Sequence, residues 1–131
     1  MVQVCLPIEV RSTEIDVMGH VNNAKYLEYM EWGREEWYNQ AKLPFDEFTQ
    51  MGIGTVTVSI HIQYRKEATL GEKLMIKTKP LRCGNSSFVF FQEIHNEKGE
   101  VVADAEVISV TIDLQSRKSK PLPELLRRYF D

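Results

Sequence analysis

A single stretch of helical period stands among segments of period two, and that contrast limits what this chain can fold into. Between Gly54 and Tyr64, Val56, Val58, Ile60, Ile62 and Tyr64 alternate with Thr55, Thr57, Ser59, His61 and Gln63. This is the pattern of a strand with two chemically distinct faces. Lys73–Pro80, Ser87–His95 and Val101–Ile112 continue it, separated by Leu70-Gly71, Gly84-Asn85 and Asn96–Gly99, which supply turn residues. Val4–Arg11 also alternates, with Val4, Leu6, Ile8 and Val10 on one side. Only after the first strand does the period change. Tyr26, Met30, Gly33 and Trp37 recur at i, i+4, i+7 and i+11 and share one helix face. Asn22 or Asn23 can cap the start of this helix, and Pro44 lies beyond its end. Gly33 costs about 1 kcal/mol against Ala inside a helix, a cost explained if the helix packs closely on a sheet. Pro121 and Pro123 precede a short amphipathic helix, Glu124–Phe130.

Strand, helix, then four strands joined by tight turns reads as α+β with a mainly antiparallel sheet. Its 131 residues suit one domain spanning the whole chain. One helix covers one face of a sheet, yet Phe88-Val89-Phe90-Phe91 and Val107-Ile108 put apolar groups on both. A second copy is therefore expected to cover part of the rest.

Composition excludes several classes. With 16 basic and 19 acidic side chains the net charge is −3, whereas nucleic-acid binding draws most of its affinity from a basic surplus. Residues 115–131 are locally basic, through Arg117, Lys118, Lys120, Arg127 and Arg128, and read either as a solvated terminus or as a place for a phosphorylated ligand. No apolar run reaches the ~20 residues of a membrane span. Met1–Pro7 shows no basic n-region, so a cytoplasmic protein is expected. Cys5 and Cys83 form no Cys-x-x-Cys pair and read as buried thiols in a reducing compartment. A metal site built from Asp16, His20, His61 and His95 lacks helical ligand spacing, so neither metal nor cofactor is expected. Gly-x-Ser-x-Gly, the P-loop and the dinucleotide fingerprint are all absent.

The polar cluster that could carry chemistry is the loop into the helix, Glu14 through Tyr26. Asp16 and His20 stand on a Gly-containing loop that feeds a helix N-terminus. Unpaired N–H groups there carry partial positive charge and could hold a carbonyl oxygen as it becomes an oxyanion. A carboxylate beside an oxyanion donor is the minimum for acyl transfer. By themselves Asp and Asn before a helix are also ordinary caps.

Asp16-Val17-Met18-Gly19-His20-Val21-Asn22-Asn23-Ala24-Lys25-Tyr26-Leu27-Glu28, with Glu31 and Arg34 beyond it, resembles the signature of hotdog-fold thioesterases. The likeness is strongest to acyl-CoA thioesterases of the 4-hydroxybenzoyl-CoA thioesterase family, and the His-Val-Asn-Asn part is similar to acyl-ACP thioesterases. Ile62–Arg65, Ala68–Glu72 and Gly84–Ser87 follow the same family's rhythm. The resemblance implies five antiparallel strands wrapped around one long helix. It also implies a homodimer built edge to edge, or a tetramer, with active sites at the subunit interface. Asp16 takes the place of the catalytic carboxylate, as general base or nucleophile, and the backbone N–H near Asn23 takes the oxyanion place. Met18 stands where acyl-ACP thioesterases have Asn, which leaves His20 open to a catalytic role, to orienting Asp16, or to packing. Tyr26 lines the acyl pocket or the core; Ser86 and Ser87 touch pantetheine or the opposing helix. Glu31 and Arg34 read as an i,i+3 ion pair. The implied activity is hydrolysis of a fatty acyl- or aryl-CoA to the free acid and CoA. A non-catalytic acyl-CoA or acyl-carrier-binding module is the alternative, and a hydratase on the same fold a more distant one.

Overall fold

The computed structural model describes residues 3–130; Met1, Val2 and Asp131, counted above in the N-terminal segment and the basic tail, lie outside the described residues. The elements are β1 (Val4–Glu9), α1 (Asn23–Gln40), α2 (Phe45–Gln50), β2 (Ile53–Tyr64), β3 (Lys73–Cys83), β4 (Ser87–His95), β5 (Val101–Asp113) and α3 (Glu124–Arg127). All strand pairs are antiparallel, and the sheet order is β1-β3-β4-β5-β2. The two edge strands, β1 and β2, are thus neighbours in sequence, with α1 between them. To join opposite edges the chain must pass over the sheet, and the apolar stripe of α1 decides which face it crosses. Five strands curled around one long helix make the hotdog arrangement.

Asn22 caps α1, its Oδ1 accepting from the Ala24 N–H at 2.9 Å. Tyr26, Tyr29, Met30, Gly33 and Trp37 form the buried face. At Gly33 the helix backbone lies on the sheet: a Cβ there would sit 2.6 Å from Ile76 Cγ2 and 2.9 Å from Thr78 Oγ1. Beside this contact the buried Gln92 amide donates to Met30 O and to Thr78 Oγ1, each at 2.8 Å, and accepts from Arg34 Nη1 at 3.0 Å. A buried amide satisfied on both sides specifies one helix position over the sheet and leaves no orphaned donor. Arg34 therefore reaches across to β4, where the i,i+3 spacing had suggested a bond to Glu31.

Three further details depart from the sequence reading. Gly54–Tyr64 does not keep one alternation. A β-bulge between Thr57 and Ser59 inserts a residue and reverses which side points in. Thr57 pairs with buried Ser109, and beyond the bulge Ile60 pairs with buried Val107. Val56 and Ile60 consequently lie on opposite faces. Secondly, a short helix, α2, follows Pro44 where the sequence marked only the end of α1, and α3 stops at Arg127, short of Phe130. The Phe130 ring still reaches the core, 5.4 Å from Phe88 and 5.3 Å from Phe90, and closes one end of the sheet. Thirdly, Cys5 is exposed rather than buried, while Cys83 is half-buried.

Candidate active site

Residues 15–22 fold as a miniature hairpin. Ile15 bridges Val21, Asp16 N donates to His20 O at 3.0 Å, and Gly19 N donates to Asp16 O at 3.0 Å. The Asp-x-x-Gly spacing is what such a turn needs. Asp16 Oδ1 accepts from Met18 N at 2.9 Å, the local bond that favours Asp at the head of a turn. Gly19 adopts φ +87°, which costs a side-chain-bearing residue but not glycine. One carboxylate oxygen is thereby anchored, and among the described residues no bond is formed to the other. At the base of the hairpin, Val21 N donates to Ala68 O (2.8 Å) and Asn22 N to Glu14 O (3.0 Å). The first amide of α1, on Asn23, has no acceptor among the described residues.

Asp16, His20, Asn23 and Tyr26 line one open cleft of about 1110 Å³. Its far wall is Tyr64 at the end of β2 and Asn96, Lys98 and Glu100 in the β4–β5 turn. Tyr64 fastens the two walls, its Oη donating to Asn23 O at 3.2 Å. Charges of both signs rim the opening. Lys66 meets Glu100 at 3.1 Å, and the Asn96 amide, followed by Lys66, holds the Glu100 carboxyl below its usual range. His20 does not bond Asp16; its Nε2 lies 3.7 Å from Glu67 Oε2 and its Nδ1 3.5 Å from Val21 O. Tyr26 is buried, with ring centroids of Tyr29 and Tyr64 at 6.0 and 5.6 Å. Burial pushes its hydroxyl up to about 12, against the opposing pull of the Ala68 backbone, so it is a neutral phenol at any ordinary pH.

Ser86 and Ser87 lie elsewhere on the protomer. Ser87 pairs with Val110, which pairs in turn with Val56. The strand from Val56 to Tyr64 separates that turn from the cleft by roughly 25 Å at ~3.3 Å per residue. The basic tail packs at the Ser86 end, where Arg127 Nη2 donates to Gly84 O (2.8 Å) and Asn85 O (3.0 Å). Arg127 is thus spent on holding the turn.

Sequence reasoning missed Tyr64, Glu67 and the Asn96–Glu100 turn as parts of the cleft. Nothing local marks them, because they reach the cleft through sheet pairing and chain crossing. Among the described residues no three His, Cys, Asp or Glu side chains come together as a metal site needs, and no helix is long and apolar enough to cross a membrane.

Asp16 on its tight turn and Asn23, whose amide is unclaimed among the described residues, thus line the same cleft. The profile of the thioesterase-like superfamily matches residues 10–130. The chain belongs to that superfamily. Long-chain acyl-CoA thioesterase FadM of Escherichia coli (strain K12) is 38% identical over 121 residues, covering 92% of this chain and 91% of the relative. Among solved structures, YbaW, a probable thioesterase from Escherichia coli, superposes with TM-score 0.84 at 34% identity over all of both chains. Slr0204, a 1,4-dihydroxy-2-naphthoyl-CoA thioesterase from Synechocystis, does so with TM-score 0.89 at 22% identity, over 98% of this chain and 95% of that one. This thioesterase-like chain therefore shares its fold with enzymes whose named substrates differ as much as a long alkyl chain and a naphthoyl ring.

Proposed function

We propose that the protein hydrolyses acyl-CoA thioesters, releasing a fatty or aryl carboxylic acid and CoA, in the cytoplasm. The observation that carries this reading is Asp16, held by Met18 N at 2.9 Å in the same cleft as the α1 amide of Asn23. The thioester carbonyl oxygen takes the Asn23 N–H, where the helix end stabilises growing negative charge. Asp16 either removes a proton from the attacking water or adds to the carbonyl itself. The C–S bond then breaks, and the CoA sulfur leaves as the thiolate and takes up a proton. On the second route the acyl-aspartyl anhydride so formed is hydrolysed by water, which frees the acid and restores the Asp16 carboxylate. Thioester carbonyls are weakly resonance-stabilised, so one positioned carboxylate and one or two dipoles suffice. His20, paired with Glu67, flanks the carboxylate, and Tyr26 supplies apolar wall to the acyl group. A thiol-release assay across straight-chain and aryl acyl-CoA substrates tests the reading. Turnover with at least one class is expected, and binding without thiol release across the whole series would instead favour a non-catalytic acyl-binding module.

The site is completed by a second copy. β2 is an edge strand of 12 residues, and Val56, Val58, Ile60 and Tyr64 are all exposed on it. A long apolar edge is an aggregation liability unless covered. Antiparallel pairing of β2 with its own copy about a two-fold axis exchanges the ends of the strand. The Ser86–Ser87 turn and basic tail of the partner subunit would then stand beside this chain's Asp16 cleft, within reach of pantetheine and the CoA phosphates. Val58 is 56% exposed near the middle of β2, so a charge there meets its own copy across such an axis. Val58→Asp is expected to convert dimer or tetramer to monomer by light scattering and to abolish turnover with it. An unchanged mass would place the interface elsewhere.

A further inference from the structure

Glu14 is a carboxylate that the proposed chemistry does not use, yet it is buried, at 8% exposure. Its surroundings say what it does. Oε1 accepts from Tyr29 Oη at 2.7 Å and from the Arg11 backbone N–H at 2.8 Å. Its own backbone oxygen accepts from Asn22 N at 3.0 Å. Three places are tied through one residue: the end of the first strand segment, the second turn of α1, and the helix cap. Asp16 lies two residues beyond Glu14, and Asn23 one residue beyond Asn22.

We infer that Glu14 and Tyr29 form a strap that sets the distance between the Asp16 carboxylate and the Asn23 amide. They are positioning residues, since neither is among the residues lining the cleft. The chemistry of the pair suits the task. Burial, and then the bond to Glu14, push the Tyr29 hydroxyl well above its ordinary range, so it stays a donor at every working pH. Ring packing against Tyr26 (6.0 Å) and Trp32 (5.4 Å) fixes where that donor points. Besides the strap, Asp16 is held by its own turn and by the Val21 N–Ala68 O bond at the hairpin base, and Gly19 and Val17 at the tip are exposed. Without the strap the hairpin keeps its shape but can swing about its base. Misplacement of a reacting group by about 1 Å is enough to cost ~10²-fold in rate.

This inference rests on Asp16 acting on the thioester, and the test separates the two. Tyr29→Phe keeps the ring and removes only the hydroxyl, and Glu14→Ala removes the acceptor. Each is expected to lower kcat for an acyl-CoA substrate by about 10- to 100-fold with KM within about two-fold. The double variant should be no slower than the worse single one. Glu14→Gln retains an acceptor oxygen and is expected to keep at least half of kcat, whereas Tyr29→Phe, which keeps the ring packing and loses only the bond, is expected to be slow. Circular dichroism and a thermal melt establish that each variant is folded. Undiminished kcat in folded Tyr29→Phe and Glu14→Ala, with Asp16→Asn inactive, overturns the strap alone. A rise in KM at constant kcat, or Glu14→Gln as slow as Glu14→Ala, overturns it as well. Full activity of Asp16→Asn overturns the assignment of the site on which it rests.

Discussion

Asp16→Asn is expected to leave a folded protein that hydrolyses acyl-CoA about 10³-fold more slowly, with KM little changed. The substitution is close to isosteric, and the amide oxygen can still accept from Met18 N, the bond that Asp16 Oδ1 makes at 2.9 Å. The turn, with Gly19 at φ +87°, therefore persists. What disappears is the negative charge and its ability to take a proton or attack carbon. General base assistance is worth about 10²–10⁴-fold, and a loss confined to kcat marks an interaction made only in the transition state. Asp16→Glu should do almost as badly, by about 10²-fold, because one methylene displaces the carboxylate by more than the tolerance of a reacting pair. Steady-state thiol release measures both. Full turnover in folded Asp16→Asn would remove Asp16 from the mechanism.

The largest effect on stability is expected at Gly33. Alanine is the better helix former by about 1 kcal/mol, so on propensity alone Gly33→Ala would stabilise. The added Cβ, however, would lie 2.6 Å from Ile76 Cγ2 and 3.0 Å from Gln92 Nε2. Ile76 is β-branched and stiff at χ1, fully buried, and cannot turn aside. The helix must lift instead, which strains the bonds from Gln92 to Met30 O and Thr78 Oγ1. Overpacking costs about 1–3 kcal/mol, and a buried amide left unpaired about 1–3 kcal/mol more. The net expectation is a loss of about 3 kcal/mol and a melting temperature lower by on the order of 10 °C. Chemical denaturation and calorimetry read it directly. An unchanged or raised midpoint would mean that α1 can slide over the sheet at little cost.

How legible these features are in the chain depends on how local their causes are. The strands and α1 follow from period, and Asn22 as cap follows from the chemistry of helix ends. The close approach at Gly33 was implied by a glycine whose helix cost needed a reason. The face reversal in β2 was not readable, because a bulge depends on how β2 registers with β5, and the partner strand lies some fifty residues away. The same limit hid the strap. Glu14 reads as one more acidic loop residue until the fold brings Tyr29 Oη to 2.7 Å. Arg34 was assigned to its helical neighbour Glu31 for want of any sign of Gln92, 58 positions on.

By itself the amino-acid order settled the α+β class, the one long helix, and the string that places a carboxylate ahead of a capped helix start. Each of these rests on contacts between residues a few positions apart, governed by periodicity, turn geometry and capping. Only the tertiary structure decided that Asp16, Tyr64 and the Asn96–Glu100 turn share one cleft, that Ser86 and Ser87 lie at the opposite end of the sheet, and that β2 is left as an uncovered edge. Those outcomes depend on strand order and register, which are set by burial summed over the whole chain rather than by any short stretch of it.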